Sequence, residues 1–577
     1  MTTKEVLNKK DIIHLLEEIA IYLELKGENP FKISAYRKAA QALETDTRAL
    51  SEIDDWSSIK GIGKGTQGVI TEFLNSGESE TLELLKQEVP EGLIPLLDIQ
   101  GLGGKKLAKL YQELQIENKA DLQAACENHQ VADLKGFGKK SEEKILAGLL
   151  NLNTQPDRLP FDAVRGVRQD IETALSAMKD VKRFSIAGSM RRMRETVKDL
   201  DFIIATEQPE VVKEQLLQLA DIKEVIASGD TKVSVVIEDH YDVSVDFRMI
   251  RDDAFATTLH HFTGSKDHNV AMRQLAKARG EKISEYGVEN IETGEVLTFD
   301  SERAFFKHFD LYEIPPEVRE AKGEIEAFKQ PHPLVTLDDI KGDLHMHTTW
   351  SDGAQSIEEM AQFASEKGYA YIAITDHSKF LRVANGLNET RLREQREEIE
   401  RVRQLFPALT ILAGVEMDIL PDGSLDFEDD FLQELDYVIG AIHSSFSQTE
   451  EEIMTRLFNA MENPYVKHIA HPTGRIIGKR DGYKVNMEQL IQKAKETHTI
   501  LELNANPKRF DLNSDWIKLC QEQGVKVTIN TDAHSKETLE FMKEGVGVAR
   551  RGWLKKETVV NTWTLEELQA FWKKKQE

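Results

Sequence analysis

Cysteine is nearly absent from this chain: two residues in 577, Cys126 and Cys520, far apart in sequence. That excludes a disulfide framework and a thiolate-rich zinc module, and it fits a reducing compartment, so a cytoplasmic location is expected. Long apolar runs are missing as well. No stretch approaches the ~18 consecutive apolar residues of a membrane helix. The N-terminus is polar and then amphipathic, without a signal-peptide core, so no membrane partner is expected. Basic charge is in deficit, with 74 Lys and Arg against 100 Asp and Glu and a net charge of −26. Neither residues 1–318 nor the remainder has the basic footprint of a simple nucleic-acid binder. Any grip on DNA must use local patches and backbone amides, with modest salt dependence. The length allows several domains at ~150 residues each.

What is present is organised around residues 186–201, IAGSMRRMRETVKDLD. A strand over 181–187 is expected to lead into a tight turn at Gly188-Ser189. Arg191, Arg192 and Arg194 follow, and then a strand over 198–205 carrying Asp199 and Asp201. Residues two apart in a strand share a face, so the two carboxylates project together. Side by side they repel, and a divalent cation such as Mg²⁺ relieves this. The turn offers backbone N–H groups and a hydroxyl, and Arg192 can pair with a triphosphate. The bland alternative is a glycine turn, a solvated basic helix and an edge strand with surface acids.

Upstream, residues 5–90 carry helical periodicity. Three copies of an apolar residue flanked by glycines follow one another: Gly61-Ile62-Gly63, Gly101-Leu102-Gly103 and Gly136-Phe137-Gly138. Each precedes a helical stretch, the pattern of a helix-hairpin-helix. Its glycines turn the chain tightly and leave amides facing a DNA phosphate. Such contacts position the duplex without reading its sequence. Downstream, 232–237 and 241–250 alternate as a β-hairpin in which Asp246 shares a face with Asp242 and Ser244. Neighbouring strands lie ~4.8 Å apart, so Asp246 is the natural third carboxylate of a two-metal site. A structural salt bridge is the alternative role for Asp246.

With residues 259–273 (LHHFTGSKDHNVAMR) a resemblance emerges. Gly188-Ser189 with Arg191-Arg192, Asp199-Leu200-Asp201, Asp246 and Phe262-Thr263-Gly264-Ser265 resemble a family X DNA polymerase. The resemblance implies Asp199, Asp201 and Asp246 as catalytic ligands for two Mg²⁺ ions. It implies Gly188, Ser189 and Arg192 as holders of the incoming dNTP, with Phe262 and Gly264 flanking its sugar. Asn269 would face the minor-groove edge and Arg273 the template. Two positions depart from the family pattern. His261 stands where some relatives have Tyr before the Phe, and Val69 stands where lyase-active relatives carry a lysine.

The C-terminal part has a second chemistry. His345, His347, Asp352, His377, Glu416, His443, His471, Asp532 and His534 each follow or end an apolar strand, with helical segments between. That is the layout of a (β/α) barrel with its site on one face. Nitrogen and carboxylate ligands without thiols suit Zn²⁺, Mn²⁺ or Fe²⁺. The set resembles a polymerase and histidinol phosphatase (PHP) domain with its nine metal positions filled, for up to three ions.

The expected fold is therefore multidomain. Helical N-terminal (1–90) and fingers (91–155) regions carry helix-hairpin-helix motifs. An α+β nucleotidyltransferase palm (156–255) and thumb (256–318) follow, then a linker (319–334) and a C-terminal distorted (β/α) barrel PHP domain (335–577), each half with its own core. The resemblance implies a monomeric DNA-directed polymerase filling short gaps in gapped or nicked DNA during repair. The barrel would supply a 3′-5′ exonuclease or 3′-end-processing activity, with cleavage at abasic sites as a further candidate. A non-templated nucleotidyltransferase, a DNA-binding repair scaffold and a fused small-molecule phosphatase are the alternatives.

Overall fold

The computed structural model describes residues 9–45, 53, 55–99, 102–152 and 156–576. Gly101, one of the expected DNA-contacting glycines, lies outside the described residues. The chain divides into two compact units, Met1–Gln155 with Lys379–Gly386, and Pro156–Ser378 with Leu387–Glu577.

The first unit is helical. In its opening helix, Lys9–Lys26, residues Ile12, Leu16, Ile19 and Leu23 recur at three- and four-residue spacing and are buried together. The hairpin glycines do what their motif requires. Gly61 and Gly136 have φ of 125° and 96°, the left-handed region that other residues avoid. Gly63 and Gly103 are the N-caps of helices Lys64–Ser76 and Gly104–Leu114, and Gly138 immediately precedes helix Lys139–Leu152. Between the glycines Ile62 and Leu102 are buried, which anchors each turn to the core.

The second unit begins with a five-stranded sheet. Arg183–Ile186 pairs antiparallel with Leu200–Ala205, which runs parallel to Asp242–Ile250. Lys232–Glu238 and Ile222–Ser228 complete the sheet, both antiparallel to their neighbours. The hairpin read from alternation is present, with Val243, Val245 and Phe247 buried on one face. The strand expected over 198–205 starts at Leu200, so Asp199 sits just before it. Helices Phe255–Thr263 and Lys266–Ala278 lead to a small three-stranded sheet and to the helix Glu302–His308.

Seven parallel strands then form a sheet in strict chain order from Gly342–Met346 to Val527–Asn530. A bridge from Met346 to Ala533 brings the last segment back beside the first, giving a nearly closed barrel. The strands are buried throughout, except for Thr410, because helices cover their outer faces. Several of those helices start on capping boxes, such as Ser356 with Glu359 and Thr449 with Glu452.

Two expectations need correction. The stretch 319–334 is not a free spacer. Arg319 and Glu324 are fully buried, Arg319 bonds Glu302 Oε1 at 2.5 Å, and Glu324 accepts from the amides of Ala321 and Lys322. Arg319 and Glu324 pair with Glu302 and His268, outside the stretch, which a reading of composition cannot register. Nor do the palm and barrel have separate cores. Phe202, Val245 and Phe247 of the sheet belong to the same continuous apolar cluster as Ile372, Val415 and Ile529 of the barrel. The seam includes an edge-to-face pair of Phe161 and Phe510, centroids 5.5 Å apart, and a two-armed ion pair between Arg475 and Glu195.

Candidate active sites

Gly188, which opens a short helix two residues after strand Arg183–Ile186, has φ 61°, and a Cβ there would lie 2.4 Å from Asp201 Oδ2. Only glycine lets the turn close over that carboxylate. Asp201 is in register with Asp246 on the adjacent parallel strand. Burial first, and then the charges of Asp199 and Asp246, push the Asp201 carboxyl up to about 7. Asp199 is raised too, by burial and by Asp246. This is the crowded acidic site read from the sequence. Asp246, however, accepts from Ser234 Oγ at 2.6 Å and pairs with Lys232 Nζ at 2.8 Å. Lys232 draws this carboxylate toward itself. Among the described residues, the groups of candidate metal donors lying within 4.8 Å of one another are all in the barrel.

Arg192 sits at the end of the short helix Gly188–Arg191 that contains Ser189. Its Nη1 donates to the Thr263 carbonyl at 2.5 Å and its Nε to Glu320 Oε1 at 3.1 Å. Burial lowers its guanidinium pKa, which Glu320 partly offsets. Gly264, with φ 64°, faces Arg192 Nη1 at 3.4 Å from where its Cβ would be. The Gly-Ser turn and the Phe-Thr-Gly-Ser turn are thus stitched together by Arg192. Phe262 is covered by the Arg248 guanidinium, 3.9 Å from the ring centroid. Asn269 Nδ2 donates to the His261 carbonyl at 2.7 Å, while its Oδ1 is buried without a partner. Burial lowers the His261 imidazole pKa. Arg273 is exposed on helix Lys266–Ala278. The sequence reading missed Lys232, Arg248 and Glu320. Glu320 reaches Arg192 from a segment distant in sequence. Lys232 and Arg248 sit on the hairpin that alternation marked, but their pairing with Asp246 and Phe262 leaves no signal in the sequence.

The barrel site gathers all nine expected residues at the C-terminal ends of its strands. Glu416 is the hub: His345, His347, His377, His443 and His471 have ring nitrogens 3.5, 3.6, 2.8, 3.3 and 3.0 Å from its oxygens. One flank joins His347, Asp352, His377 and His534, and another joins His345, His347 and Asp532. His347 Nδ1 and His471 Nδ1 are buried without hydrogen-bond partners. Leaving such groups unsatisfied is costly, and a cation with nitrogen and oxygen ligands would satisfy them. His471 and Asp532 also hold positive φ values of 28° and 51°, strain of the kind that clusters at functional sites. The residues present therefore fit metal ions.

Charge in the barrel is strongly coupled. Burial would raise Glu416, Asp532 and Asp352, but the surrounding imidazoles outweigh it and hold all three below the usual carboxylate range. Burial would likewise lower His443 and His534, yet their carboxylate neighbours push them up to about 10 and about 9. His347, facing His534 and His377, is instead pushed down to about 3, burial being the largest cause. A supporting layer escaped the sequence reading. Glu502 accepts from His345 Nδ1 at 2.8 Å, the His471 amide at 2.7 Å and Asn530 at 2.9 Å. Asp418 lies 3.2 Å from His443 Nδ1. Such partners fix the tautomer and orientation of ligating histidines. Polar residues alternating inside otherwise apolar strands, ILELN and GVEMD, were the available signal.

Comparison with known proteins joins these observations. Residues 8–79 match the helix-hairpin-helix domain and 93–149 the SAM-like helix-hairpin-helix tandem. Residues 258–320 match the DNA polymerase beta thumb and 343–506 the PHP domain. The DNA polymerase/3′-5′ exonuclease PolX of Bacillus subtilis (strain 168) is 57% identical over 568 residues, covering 98% of this chain and all of that protein. A probable phosphatase of Thermoanaerobacter sp. (strain X514) is 32% identical over 232 residues, which is 38% of this chain and 89% of that protein. A probable phosphatase of Acetivibrio thermocellus is 30% identical over 201 residues, 33% of this chain. No helix among the described residues is long and apolar enough to cross a membrane. Helix-hairpin-helix modules, a polymerase thumb, a crowded carboxylate site and a barrel cluster of histidines and carboxylates thus occur in one chain that aligns end to end with PolX: this protein belongs to the family X DNA polymerases with a C-terminal PHP domain.

Proposed function

We propose that this protein fills short gaps in DNA from dNTPs in the palm and trims or cleans 3′ ends in the barrel. The observation that carries the reading is the match to a polymerase/exonuclease over nearly the whole chain, supported by the barrel's groups of candidate metal donors. Asp199, Asp201 and Asp246 would hold two Mg²⁺ ions, Asp246 exchanging its Lys232 partner for a ligand role. Arg192 and the Gly188-Ser189 turn would hold the triphosphate, and Phe262 and Gly264 would flank the sugar. His261 stands beside them, Asn269 would face the minor-groove edge and Arg273 the template. The nine barrel residues would hold up to three Mn²⁺, Zn²⁺ or Fe²⁺ ions. Bound ions would supply Lewis acidity and charge neutralisation at phosphorus in both sites. The barrel histidines and Glu416 fix the ligand geometry, and Glu502 and Asp418 hold the imidazoles in their tautomers.

Gly61, Gly63, Gly101, Gly103, Gly136 and Gly138 would present amides to DNA phosphates. The same reading has the protein working as a monomer in the cytoplasm on gapped or nicked substrates. The test compares two variants on a gapped duplex. Asp201→Ala should lose at least ~10²-fold in incorporation, several kcal/mol of transition-state stabilisation, while keeping 3′ processing. His345→Ala with His347→Ala should do the reverse. Incorporation that ignores the template, or persists in Asp201→Ala, would overturn the polymerase assignment. Because barrel-only relatives are named probable phosphatases, phosphate release from small monoesters is the second reading to assay.

A further inference from the structure

Glu320 ends the thumb segment, and one of its oxygens, Oε1, serves two guanidinium groups. Arg192 Nε lies at 3.1 Å and Arg551 Nη1 at 2.8 Å. Arg194 stands farther off, at 3.9 Å, and is more exposed. Arg551 is the last residue of the barrel helix Met542–Arg551. It also donates to the carbonyl of Arg192 at 3.0 Å and of Glu317 at 3.4 Å. The approach depends on Gly547, one turn earlier, where a Cβ would meet Met193 Cγ at 2.7 Å. Arg192, Glu320 and Arg551 have side chains only 13%, 16% and 10% exposed, so water screens these charges weakly. A residue of the barrel thus bears directly on the arginine of the palm's nucleotide site.

We propose that Arg551 is a positioning residue for nucleotide binding: it shares Glu320 with Arg192, so that Glu320 stays neutralised when Arg192 turns to the triphosphate. The proposal rests on Arg192 being a triphosphate ligand. The physics is that of a buried carboxylate. With a single cationic partner, Arg192 could leave only by abandoning an unpaired buried charge, which is strongly unfavourable. With two guanidiniums on one oxygen, each is held less tightly, and Arg551 keeps the carboxylate satisfied after Arg192 departs. Both arginines hold Glu320 below the usual carboxylate range against the opposing effect of burial. The hydrogen bonds of Arg551 run to Glu320 and to the carbonyls of Arg192 and Glu317. It acts through Glu320 and through the main chain of Arg192.

Steady-state incorporation on gapped DNA, with the full-length protein and varied dNTP, tests this. Arg551→Gln should raise the dNTP KM ~10-fold with kcat changed less than ~2-fold, as Glu320 then claims Arg192 alone. Arg551→Lys, which restores the charge, should recover most of that loss. Adding Glu320→Gln to Arg551→Gln should bring KM back toward the wild-type value, because no carboxylate remains to compete for Arg192. A purely structural role gives additive losses instead. An unchanged KM in Arg551→Gln, or a raised KM that persists in the double variant, would sink the proposal. Unchanged 3′ processing in Arg551→Gln serves as the folding control. Should that variant fail to fold, Glu320→Gln alone decides: a KM at or below wild type supports the exchange, and a higher KM overturns it. Arg192→Lys separates the two layers. If it leaves the dNTP KM unchanged, the reading of Arg192 itself fails. If it raises KM while Arg551→Gln does not, only the coupling fails.

Discussion

Protonation of two barrel histidines is set, against burial, by the carboxylates that face them. His443 and His534 lie well above an ordinary histidine, at about 10 and about 9, despite burial, because Glu416, Asp418, Asp352 and Asp532 face them. At pH 7 both rings therefore carry protons when no cation competes, and a metal ion must displace those protons to reach ring nitrogens. Binding of Mn²⁺ to chelator-treated protein should release about one to two protons per site at pH 7. Isothermal titration in buffers of different ionisation enthalpy reads this number, and a value of zero would contradict the charge assignment. The stability sign follows from the same shift. A histidine raised from 6.5 adds stability that is complete below that value and is lost as pH climbs through 9 to 10. Metal-free protein should thus melt progressively lower between pH 7 and 10, while metal-loaded protein, whose imidazoles are held neutral, should change less.

At the level of elements, the helix-hairpin-helix glycines divide into two kinds. Gly61 combines φ 125° with a Cβ position 2.9 Å from Ala42 Cβ, so replacing it damages the fold as well as the turn. Gly136 has φ 96° but open space where a Cβ would go. Gly136→Val should therefore strain only its own turn, by ~1–2 kcal/mol, and disturb the amides ahead of helix Lys139–Leu152. The expected result is gapped-DNA affinity weakened several-fold, with the dNTP KM on saturating DNA unaltered. Fluorescence anisotropy with a labelled gapped duplex checks it, and unchanged affinity would mark the motif as an ordinary helix turn. In helix Lys64–Ser76, Val69 stands where the family resemblance implies a lysine for lyase chemistry, and it is buried as a core residue.

At the scale of the molecule, the palm and barrel share one apolar cluster and a seam of ion pairs. Their chemistries are expected to be separable by mutation, but their folding is not. Calorimetry on the full chain should show residues 156–577 melting in one transition rather than two, apart from the helical unit. Expression of 335–577 alone would uncover Phe510 and Gly547, now packed on Phe161 and Met193. Such exposed apolar surface predicts aggregation. Two well-resolved transitions within the second unit would show that the shared cluster does not couple the two halves.

The sequence by itself determined the elements and the ingredients of both sites. Alternation marked the strand pair around Asp246, glycine spacing marked the hairpin turns, and strand-end histidines marked the barrel site, because each of these signals is local in the chain. The same residues also carried the family. Tertiary structure alone decided how charges are shared. That Asp246 leans on Lys232 across its hairpin, that Arg319 and Glu324 turn a supposed linker into buried structure, that Glu502 steadies His345 and that Arg551 reaches Glu320 are all decided by packing. The last two join partners more than a hundred residues apart, which leave no periodicity to read. Only the packing of the fold brings their charges close enough, in surroundings dry enough, for one to set the behaviour of another.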